Sequence, residues 1–423
     1  MLKLISLIFS LAFIVQGFSQ SWQWTELAPI PFPTSNNAVC EAVVNGEKFV
    51  YSFGGISTGK TYADIHLRSF KYTVSSNTWS EVDPLPDALT KIAAGASFVK
   101  DKIYIIGGYH VYSNGNEVSS NKVHVYNPST DVYETDGAPI PIAIDDHVQC
   151  VYKDSLIYIV TGWSNTGNVP NVQIYDPSLN TWQVGTSTTN NVFFTAFGAS
   201  GYILGDTIYY HGGASGGSFG ARNYLRKGFI NPLDPTNITW LPYEVATGIN
   251  GYRAACSGAG SMVFWLGGSS VSYNFDGIAY NGSGGVAPSA RVLHYETSGT
   301  QYFDEDNQPY GVMDLRGIAK LSNSQWIICG GMDSTQTVST RSFLLENSTL
   351  KKDNLNSKVL KVRTFEDRIE IETVLKGEAK LVDLSGKIIQ TMGSSTFFTI
   401  YRDSFNKGIY LFQQNNNTLR IKI

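Results

Sequence analysis

Short apolar runs that end in glycine recur along most of the chain. In residues 102–134, KIYIIGGYHVYSNGNEVSSNKVHVYNPSTDVYE, an apolar run ends at Gly107-Gly108, a polar loop follows, and a second, alternating run ends at Tyr126. Alternation over about four to eight residues is typical of half-buried strands, and continuous apolar runs fit strands buried on both faces. The pattern therefore predicts an all-β region with many turns.

The glycines set a long period. The second glycine of each pair, or the single glycine that replaces it, recurs at intervals of 51 to 63 residues, at Gly55, Gly108, Gly162, Gly213, Gly268 and Gly331. A period of about 50 residues with paired glycines is typical of the kelch-type β-propeller, in which each repeat is one four-stranded blade. The chain resembles that family, and the resemblance implies six blades.

Aromatic pairs support this interpretation. Four repeats carry two aromatic residues seven positions apart across a turn rich in Asn, Pro, Ser or Thr: Tyr72/Trp79, Tyr126/Tyr133, Tyr175/Trp182 and Tyr295/Tyr302. This spacing suits two antiparallel strands joined by a tight turn. In the fourth repeat Phe229 and Trp240 are eleven apart, which predicts a longer turn in the same blade.

The two ends of the repeat region complement each other. Trp22 and Trp24 precede the first repeat, whereas the last repeat offers a third strand, residues 339–348, with no closing aromatic after it. We therefore expect the N-terminal strand to complete the last blade, which closes the ring and removes free sheet edges.

Residues 1–19 predict a secretory signal peptide. Lys3 precedes an apolar core, residues 4–15, and the small residues Gly17 and Ser19 follow it. That core is too short to cross a bilayer, and no later stretch is apolar enough to span. The predicted organisation is a signal peptide (1–19), a propeller (20–348), a linker (349–357) and a C-terminal domain (358–423).

The C-terminal segment, residues 358–423, breaks the period. It alternates apolar and polar residues in short strands divided by turns, which predicts a small β-sandwich. Its stretches LVDLSGK (381–387), KGIYL (407–411) and LRIKI (419–423) resemble the C-terminal sorting domain of the type IX secretion system of Bacteroidetes. The resemblance implies the type IX machinery as a partner and a secreted or outer-surface location; an ordinary β-sandwich appendage is the alternative.

Composition excludes several functions. The net charge of −4, with no cluster of Lys and Arg, argues against nucleic-acid binding. The four cysteines each lie in an apolar strand of a different repeat, which favours core thiols and leaves a bridge between Cys40 and Cys329 open. The sequence contains no zinc-site spacing and no GxSxG, HExxH, phosphate-loop or EF-hand motif, so no cofactor and no metal site is predicted.

Loop length indicates where function should lie. The loops after the glycines are long, notably residues 109–121, 214–224 and 269–289, whereas the turns on the opposite side are short. We name these sides the long-loop face and the short-turn face, and we expect binding on the long-loop face. The candidate ligand-binding residues near the channel mouth there are Tyr109, His110, Asp146, His147, Trp163, Tyr252, Arg253, Arg316 and Asp333.

Each candidate has a structural alternative. Arg253 and Arg316 occupy equivalent positions in consecutive repeats and would suit a carboxylate or sulfate held by two guanidinium groups, but such residues also bind backbone groups at a channel rim. Asp146 and His147 suggest an acid–base pair or a metal corner, although neighbours on a strand point in opposite directions. Tyr109 and Trp163 would stack on sugar rings, or they belong to the core.

Three functions remain open. The first is an exported binding protein with a glycan or protein ligand on the long-loop face. The second is an enzyme: the exported six-repeat ring resembles the sialic-acid mutarotases of the bacterial periplasm, which implies action on an acidic sugar. Galactose-oxidase-like copper enzymes also carry kelch blades, but the Cys and His residues here show no matching motif. The third is a purely structural role.

Overall fold

The computed structural model describes residues 21–246, 248, 250–350, 360–383, 386–414 and 417–423. The predicted signal peptide and most of the predicted linker lie outside these residues. Within the described part of residues 21–350, nearly all regular structure is β-strand, arranged in six sheets of at least four strands.

The first three sheets follow the chain in order. Sheet 1 contains Ala38–Val44, Glu47–Ile56, Ile65–Thr73 and Thr78–Val82, with the 3-10 turn Tyr62–Asp64. Sheet 2 contains Ile92–Val99, Lys102–Val111, Glu117–Ser119, Val123–Asn127 and Val132–Tyr133. Sheet 3 contains Val148–Tyr152, Leu156–Val160, Val172–Asp176 and Thr181–Gly185, and the ribbon of Trp163–Ser164 and Gly167–Asn168 follows its second strand.

The next three sheets repeat this order. Sheet 4 contains Phe197–Leu204, Thr207–Ser215, Gly220–Ala221, Tyr224–Asn231, Asp234–Trp240 and Glu244–Val245. Sheet 5 contains Ala255–Ala259, Met262–Leu266, Val292–Glu296 and Gln301–Glu305. Sheet 6 contains Ala319–Lys320, Gln325–Cys329, Ser342–Asn347 and Trp22–Glu26.

The sheets follow one another around a common axis. The first strand of each sheet contacts the first strands of the sheets before and after it, and the region of the first strand of sheet 6 contacts that of sheet 1. A separate apolar cluster fills the space between each pair of neighbouring sheets, including the pair 6 and 1. Both faces of each sheet are therefore buried, which explains the continuous apolar runs in the sequence. The fold is propeller-like, and the inner strands enclose a central channel.

The N-terminal strand completes the last sheet, as predicted. Trp22–Glu26 pairs antiparallel with Ser342–Asn347. Trp22 is only 2% exposed, and its ring lies 4.7 Å from that of Phe264 and 5.5 Å from that of Trp326, measured between centroids. The first strand of the described chain is thus held by the core between sheets 5 and 6.

The paired glycines lie where neighbouring backbones approach closely. Gly107 and Gly108 have φ values of +68° and +88°, in the left-handed region. A Cβ on Gly107 would lie 2.4 Å from the carbonyl oxygen of Ile144, and one on Gly108 would lie 2.6 Å from that of Ile92. Glycine is required here for both conformation and space.

The aromatic pairs face each other across adjacent strands, as predicted. The ring centroids of Tyr72/Trp79, Tyr126/Tyr133, Tyr175/Trp182 and Tyr295/Tyr302 are 4.9 to 5.1 Å apart. In sheet 4, Trp240 instead pairs with Gly228, and the register shifts after Ile230. The predicted longer turn is wrong: Asn231 pairs with Asp234, so only Pro232 and Leu233 form the turn, and the extra residues lengthen the two strands.

The apolar runs of the sequence also predict innermost strands over residues 191–203 and 315–321, and the structure differs at both. The apolar stretch 191–203 becomes a strand only from Phe197, because Asn191 forms a turn in which its Oδ1 accepts the backbone N–H of Phe193 at 2.9 Å. The predicted strand 315–321 is split, and Arg316–Gly317 pairs in parallel with sheet 1. Gly317 permits this pairing, since a Cβ there would lie 2.1 Å from the carbonyl oxygen of Val39.

The C-terminal residues form one five-stranded sheet with two halves, because one short strand pairs with the first part of the longest strand and two short strands extend from its last part. The two longest strands pair with each other through both halves. Its strands are Leu360–Thr364, Arg368–Asp383, Ile388–Tyr401, Ile409–Gln414 and Asn417–Lys422, with the 3-10 turn Arg402–Ser404. Register shifts interrupt the pairing between Glu372 and Ala379. Residues from both halves, such as Ile371 and Leu381, share one apolar cluster, so the sheet curves around a core of its own.

Two further expectations can be compared with the fold. All four cysteines are free thiols, and Cys40, Cys150 and Cys329 are buried. Within the described ranges, no helix has the length and apolar character needed to cross a membrane.

Candidate functional site

Six residues form the rim of the channel on the long-loop face. Each lies within two residues of the first residue of an inner-strand segment and has a left-handed φ between +47° and +66°; they are Asn36, Ala93, Asp146, Gly198, Arg253 and Asp314. Only one of the six is glycine, so the shared property is the backbone conformation and not the side chain. Left-handed conformations in other residue types carry a cost, and they persist where the surrounding structure holds them.

A circuit of backbone hydrogen bonds holds this rim. The N–H of five of the six rim residues donates to the carbonyl of the rim residue one sheet earlier, as from Asp146 to Ala93 at 3.1 Å and from Arg253 to Gly198 at 2.8 Å. The N–H of Asn36 donates to the carbonyl of Asp314 at 3.0 Å, which closes the circuit between sheets 1 and 6. At the sixth step Leu315, one residue beyond the rim, is the donor to Arg253.

Arg253 spans the rim and binds two carboxylates. Its Nε and Nη2 donate to Asp146 at 3.1 and 2.6 Å, and its Nη1 donates to Asp314 at 3.0 Å. The three side chains are at most 2% exposed. Burial would lower the pKa of Arg253, but the two carboxylates raise it above its usual value, so the guanidinium stays charged. Asp314 also accepts a hydrogen bond from Ser35 Oγ at 2.6 Å.

Arg316 lies on the channel side of the same network. Its Nη2 donates to the carbonyl of His147 at 2.8 Å, and its Nη1 lies 3.6 Å from Asp146 Oδ1. The two arginines therefore share Asp146 and do not converge on one open anion site. The expected two-guanidinium clamp is not formed, because Arg253 is already occupied by the two aspartates.

Asp146 and His147 also separate. Asp146 points to the arginines, whereas His147 Nε2 donates to Gln149 Oε1 at 3.1 Å. Burial, followed by the charge of Arg316, lowers the pKa of His147 to about 3, so the ring is neutral. Among the described residues, no group of three His, Cys, Asp or Glu side chains is arranged to hold a metal ion. The two side chains thus do not form an acid–base pair.

A cavity of about 100 Å³ lies beneath the long loops. It brings together four of the predicted residues: Tyr109, Asp146, Trp163 and Arg253. Two further acids line it, Asp145 and Glu117, and burial raises the pKa of both, with repulsion from Asp146 contributing at Asp145. The cavity is too small for a monosaccharide, since ligand pockets usually measure about 300 to 1,000 Å³.

The remaining predicted residues do not line this cavity. Tyr252 is fully buried and packs edge-on against Tyr273 at 5.0 Å between centroids. His110 is half-buried and lies 3.0 Å from Thr90 Oγ1 through its Nδ1. Asp333 holds its own loop, since its Oδ1 accepts the N–H of Thr335 at 2.9 Å. These three side chains therefore contact neighbouring residues of the fold and are not brought together with the residues that line the cavity.

A larger cavity of about 520 Å³ occupies the channel on the other side of the rim network. We name it the channel chamber: it runs from His147 and Arg316 at the rim end to the turn residues Lys153, Asp154 and Gly205 at the short-turn face. Because the arginine–aspartate network crosses the rim, it separates the chamber from the small cavity under the loops.

Three side chains at mid-depth of the chamber were not predicted. Lys320 Nζ donates to the carbonyl of Gly258 at 2.7 Å and to the hydroxyl of Tyr202 at 3.1 Å. Glu41 Oε2 accepts the backbone N–H of Lys320 at 2.8 Å. Burial raises the pKa of Glu41, raises that of Tyr202 to about 12 and lowers that of Lys320. A charged residue inside each of two apolar inner-strand patterns, AVCEAVV and LRGIAKL, was the available signal.

Comparison with known proteins agrees with this geometry. The sequence profile described as "Kelch motif" matches residues 93–135, which cover sheet 2. Kelch-like protein terF of Aspergillus terreus is 27% identical over 56% of this chain and 50% of its own length. Beta-scruin of Limulus polyphemus is 28% identical over 36% of this chain and 16% of its own length. The chain spans half or less of these curated relatives.

A solved structure extends the likeness to most of the chain. The structure of YjhT superimposes with a TM-score of 0.59 over 82% of this chain and 99% of that one, at 14% sequence identity. At this identity the likeness concerns the fold. The strand order, the kelch motif and this neighbour together support an all-β, kelch-repeat propeller fold.

Proposed function

We propose that the chain is an exported kelch propeller of six blades that binds a protein or glycan ligand on its long-loop face. The observation that carries this proposal is the apolar surface of that face. Tyr62, Tyr112, Val192, Phe193 and Ile278 lie in its loops and are 37 to 46% exposed. Since the cavity beneath the loops holds only about 100 Å³, a ligand there meets a surface and not a pocket.

This geometry suits a macromolecular ligand. Aromatic and aliphatic side chains spaced around one face, on loops anchored by the rim, are typical of protein-binding surfaces. The kelch motif supports protein binding as the more general expectation. A glycan would need aromatic rings free to stack, and of the predicted pair Tyr109 is buried and Trp163 packs against Phe197 and Phe219.

The route to the ligand is part of the proposal. Residues 1–19 would direct export, and residues 358–423, by their resemblance to type IX sorting domains, would place the protein outside the cell or on its outer surface. Fractionation of a type IX-competent host that expresses the full chain tests this step. If the full chain and a chain without residues 358–423 are found in the same compartment, the proposed role of these residues in export is wrong.

Binding on the long-loop face is tested with matched surface variants. The mature chain, starting at residue 20, is compared with Tyr112→Ser/Phe193→Ser in pull-downs and on glycan arrays. The control is Leu179→Ser/Leu233→Ser, two more exposed side chains in turns on the opposite side. Ligands retained by the control and lost by the loop variant support the proposal. If the loop variant retains the ligands of the wild type, the proposed face is wrong.

An enzyme acting on an acidic sugar is the second candidate. The channel chamber favours it, because about 520 Å³ lies within the range of small-ligand pockets. In this case Arg316 would bind the carboxylate of the sugar, because it lines the chamber. Arg253 is already occupied by the two aspartates. NMR of freshly dissolved sialic acid with the purified protein tests it: unchanged anomer exchange removes this candidate.

A further inference from the structure

The cavity of about 100 Å³ beneath the long loops, which we name the loop cavity, contains more acidic than basic groups. Asp145 and Glu117 line it, and neither forms an ion pair with a described residue. Arg253 also lines it, but its guanidinium is bound by Asp146 and Asp314. Arg253 attracts Asp145 only at longer range, and the repulsion from Asp146 exceeds that attraction. The loop cavity therefore favours a cation.

Asp145 presents an oxygen without a hydrogen-bond donor to this cavity. The residue is only 4% exposed, and its Oδ2 accepts a hydrogen bond from Ser119 Oγ at 2.6 Å. In the described part of the chain no group donates to its Oδ1, yet the fold does not enclose that atom completely. Buried carboxylate oxygens normally have a donor. A ligand that donates an N–H from inside the loop cavity would satisfy this atom.

Aromatic side chains form much of the remaining wall. The rings of Trp163, Phe197 and Phe219 lie 5.4 to 5.6 Å from one another, measured between centroids. Tyr280 lies 5.1 Å from Phe219 by the same measure. Aromatic rings attract a cation that lies over their faces, and they also pack against the methylene stem of a long charged side chain. Acids and rings together match an ammonium group on an apolar chain.

The loop cavity opens on the long-loop face. Each of four successive loops contributes one side chain to it: Glu117, Trp163, Phe219 and Tyr280. Glu117 is exposed and the other three are half-buried, so solvent reaches the cavity between them. A volume of about 100 Å³ corresponds to about three water molecules, at about 30 Å³ each in the liquid. This is room for the end of one side chain.

We propose that the loop cavity binds the ammonium group of a lysine side chain of the protein ligand, which donates an N–H to Asp145 Oδ1. The methylenes of that lysine pack against Trp163 and Phe219, and Glu117 attracts the cation at the opening. This inference rests on the protein binding proposed for the long-loop face and adds the chemistry that the ligand must offer there. A quaternary ammonium group fits less well, because it has no N–H for Asp145.

Three small probes test the site on the mature full-length protein by NMR titration. n-Butylammonium reproduces the lysine side chain, 1-butanol has the same carbon chain without the charge, and tetramethylammonium has the charge without an N–H. n-Butylammonium should bind at least about tenfold more tightly than either, as expected for one charge-assisted hydrogen bond. The proposal is overturned if n-butylammonium does not bind, if 1-butanol binds equally well, or if tetramethylammonium binds as tightly or more tightly.

Variants assign the binding to the two acids. Asp145→Asn keeps the shape of the side chain and an oxygen for Ser119 Oγ, and it should weaken n-butylammonium binding about tenfold or more. Glu117→Gln should weaken it by about fivefold or less, because the carboxylate is exposed. Glu47→Gln, an exposed acid in a turn of the short-turn face, is the control and should have no effect. An Asp145→Asn protein that unfolds cooperatively and binds n-butylammonium like the wild type refutes the site.

Pull-downs connect the loop cavity to the protein ligand. Asp145→Asn should reduce the capture of ligands that the wild type retains, and acetylation of the lysines of those ligands should have the same effect. Capture that neither change reduces overturns the lysine contact.

The two proposals fail in different ways. If n-butylammonium does not bind while Tyr112→Ser/Phe193→Ser loses the protein ligands, the loop cavity is wrong and the long-loop face stands. If n-butylammonium binds the wild type and not Asp145→Asn, while Tyr112→Ser/Phe193→Ser retains every ligand, the cation site stands and the surrounding apolar face is wrong.

Discussion

Replacement of Arg253 by Met tests whether the rim network is structural. The change removes the hydrogen bonds to Asp146 and Asp314 and leaves both carboxylates buried, at 2% and 0% exposure. Asp146 keeps Arg316 at 3.6 Å, whereas Asp314 keeps only the hydroxyl of Ser35. Asp314 is therefore the group left without a counter-charge.

The expected loss follows from this imbalance. Removal of one partner from a buried ion pair typically costs about 3 to 5 kcal/mol. The loss of unfolding free energy should be smaller in mild acid, because a protonated Asp314 needs no counter-charge. It should grow as the pH rises, because the unfolded chain then releases the proton of Asp314 while the folded protein retains it or buries an unpaired carboxylate. Burial already raises the pKa of Asp314 in the wild type, which is consistent with this direction.

Urea unfolding of the full chain, followed by far-UV circular dichroism, measures the effect at several pH values. Arg68→Met is the matched control: its ion pair with Glu81 is exposed, at 37% and 49%, and should contribute about 0 to 1 kcal/mol. Adding Asp314→Asn to Arg253→Met should restore part of the stability. A loss no larger than that of Arg68→Met, or no recovery in the double variant, would refute the structural role of this network.

Three further predictions concern single positions. Asp145→Asn should stabilise the protein increasingly as the pH rises above about 4, because burial and the neighbouring carboxylate raise the pKa of Asp145 and the unfolded chain loses that proton first; equal pH slopes of the unfolding free energy in wild type and variant would contradict this. Gly108→Ala should cost at least about 2 kcal/mol, whereas Gly115→Ala, with a similar positive φ and open space around it, should cost about 1 kcal/mol; similar losses of unfolding free energy would mean that strain and not contact dominates. Trp22→Ala should cost about 3 to 5 kcal/mol in the same assay, since the ring is buried, and a loss below 1 kcal/mol would show that this strand contributes little.

Much of the repeat architecture could be predicted because particular residue types recur at equivalent positions of the repeats. Glycine pairs mark places where backbones approach, and aromatic pairs seven apart mark strands joined by a tight turn. The unpaired Trp22 and Trp24 correctly indicated that the first strand completes the last sheet. These signals are local, so periodicity alone reveals them.

The rim could not be predicted, because its six positions share a conformation and not a side chain. Asn, Ala, Asp, Gly and Arg all occupy them. The predicted equivalence of Arg253 and Arg316 in the repeats is wrong: the rim position that corresponds to Arg253 is Asp314, and Arg316 lies two residues further along the chain. A carboxylate two sheets away, Asp146, decides that Arg253 is occupied.

The channel chamber escaped prediction for a related reason. Sequence reasoning directed attention to long loops, while the larger of the two channel cavities is lined mainly by the inner strands and opens at the short-turn face. Glu41 and Lys320 belong to strands at opposite ends of the propeller sequence, and only closure between sheets 6 and 1 brings them together. Single polar residues in apolar strands thus indicate channel-facing positions in such a ring.

The pairing of the first strand with the last sheet has a consequence for how the protein matures. Trp22–Glu26 is synthesised long before its partner Ser342–Asn347. Until then the nascent chain carries unsatisfied strand edges, which favours delayed folding and holding by chaperones. Folding of the propeller should accordingly be a single late event, and a chain stopped short of residue 342 should be degraded rather than accumulate as a smaller propeller.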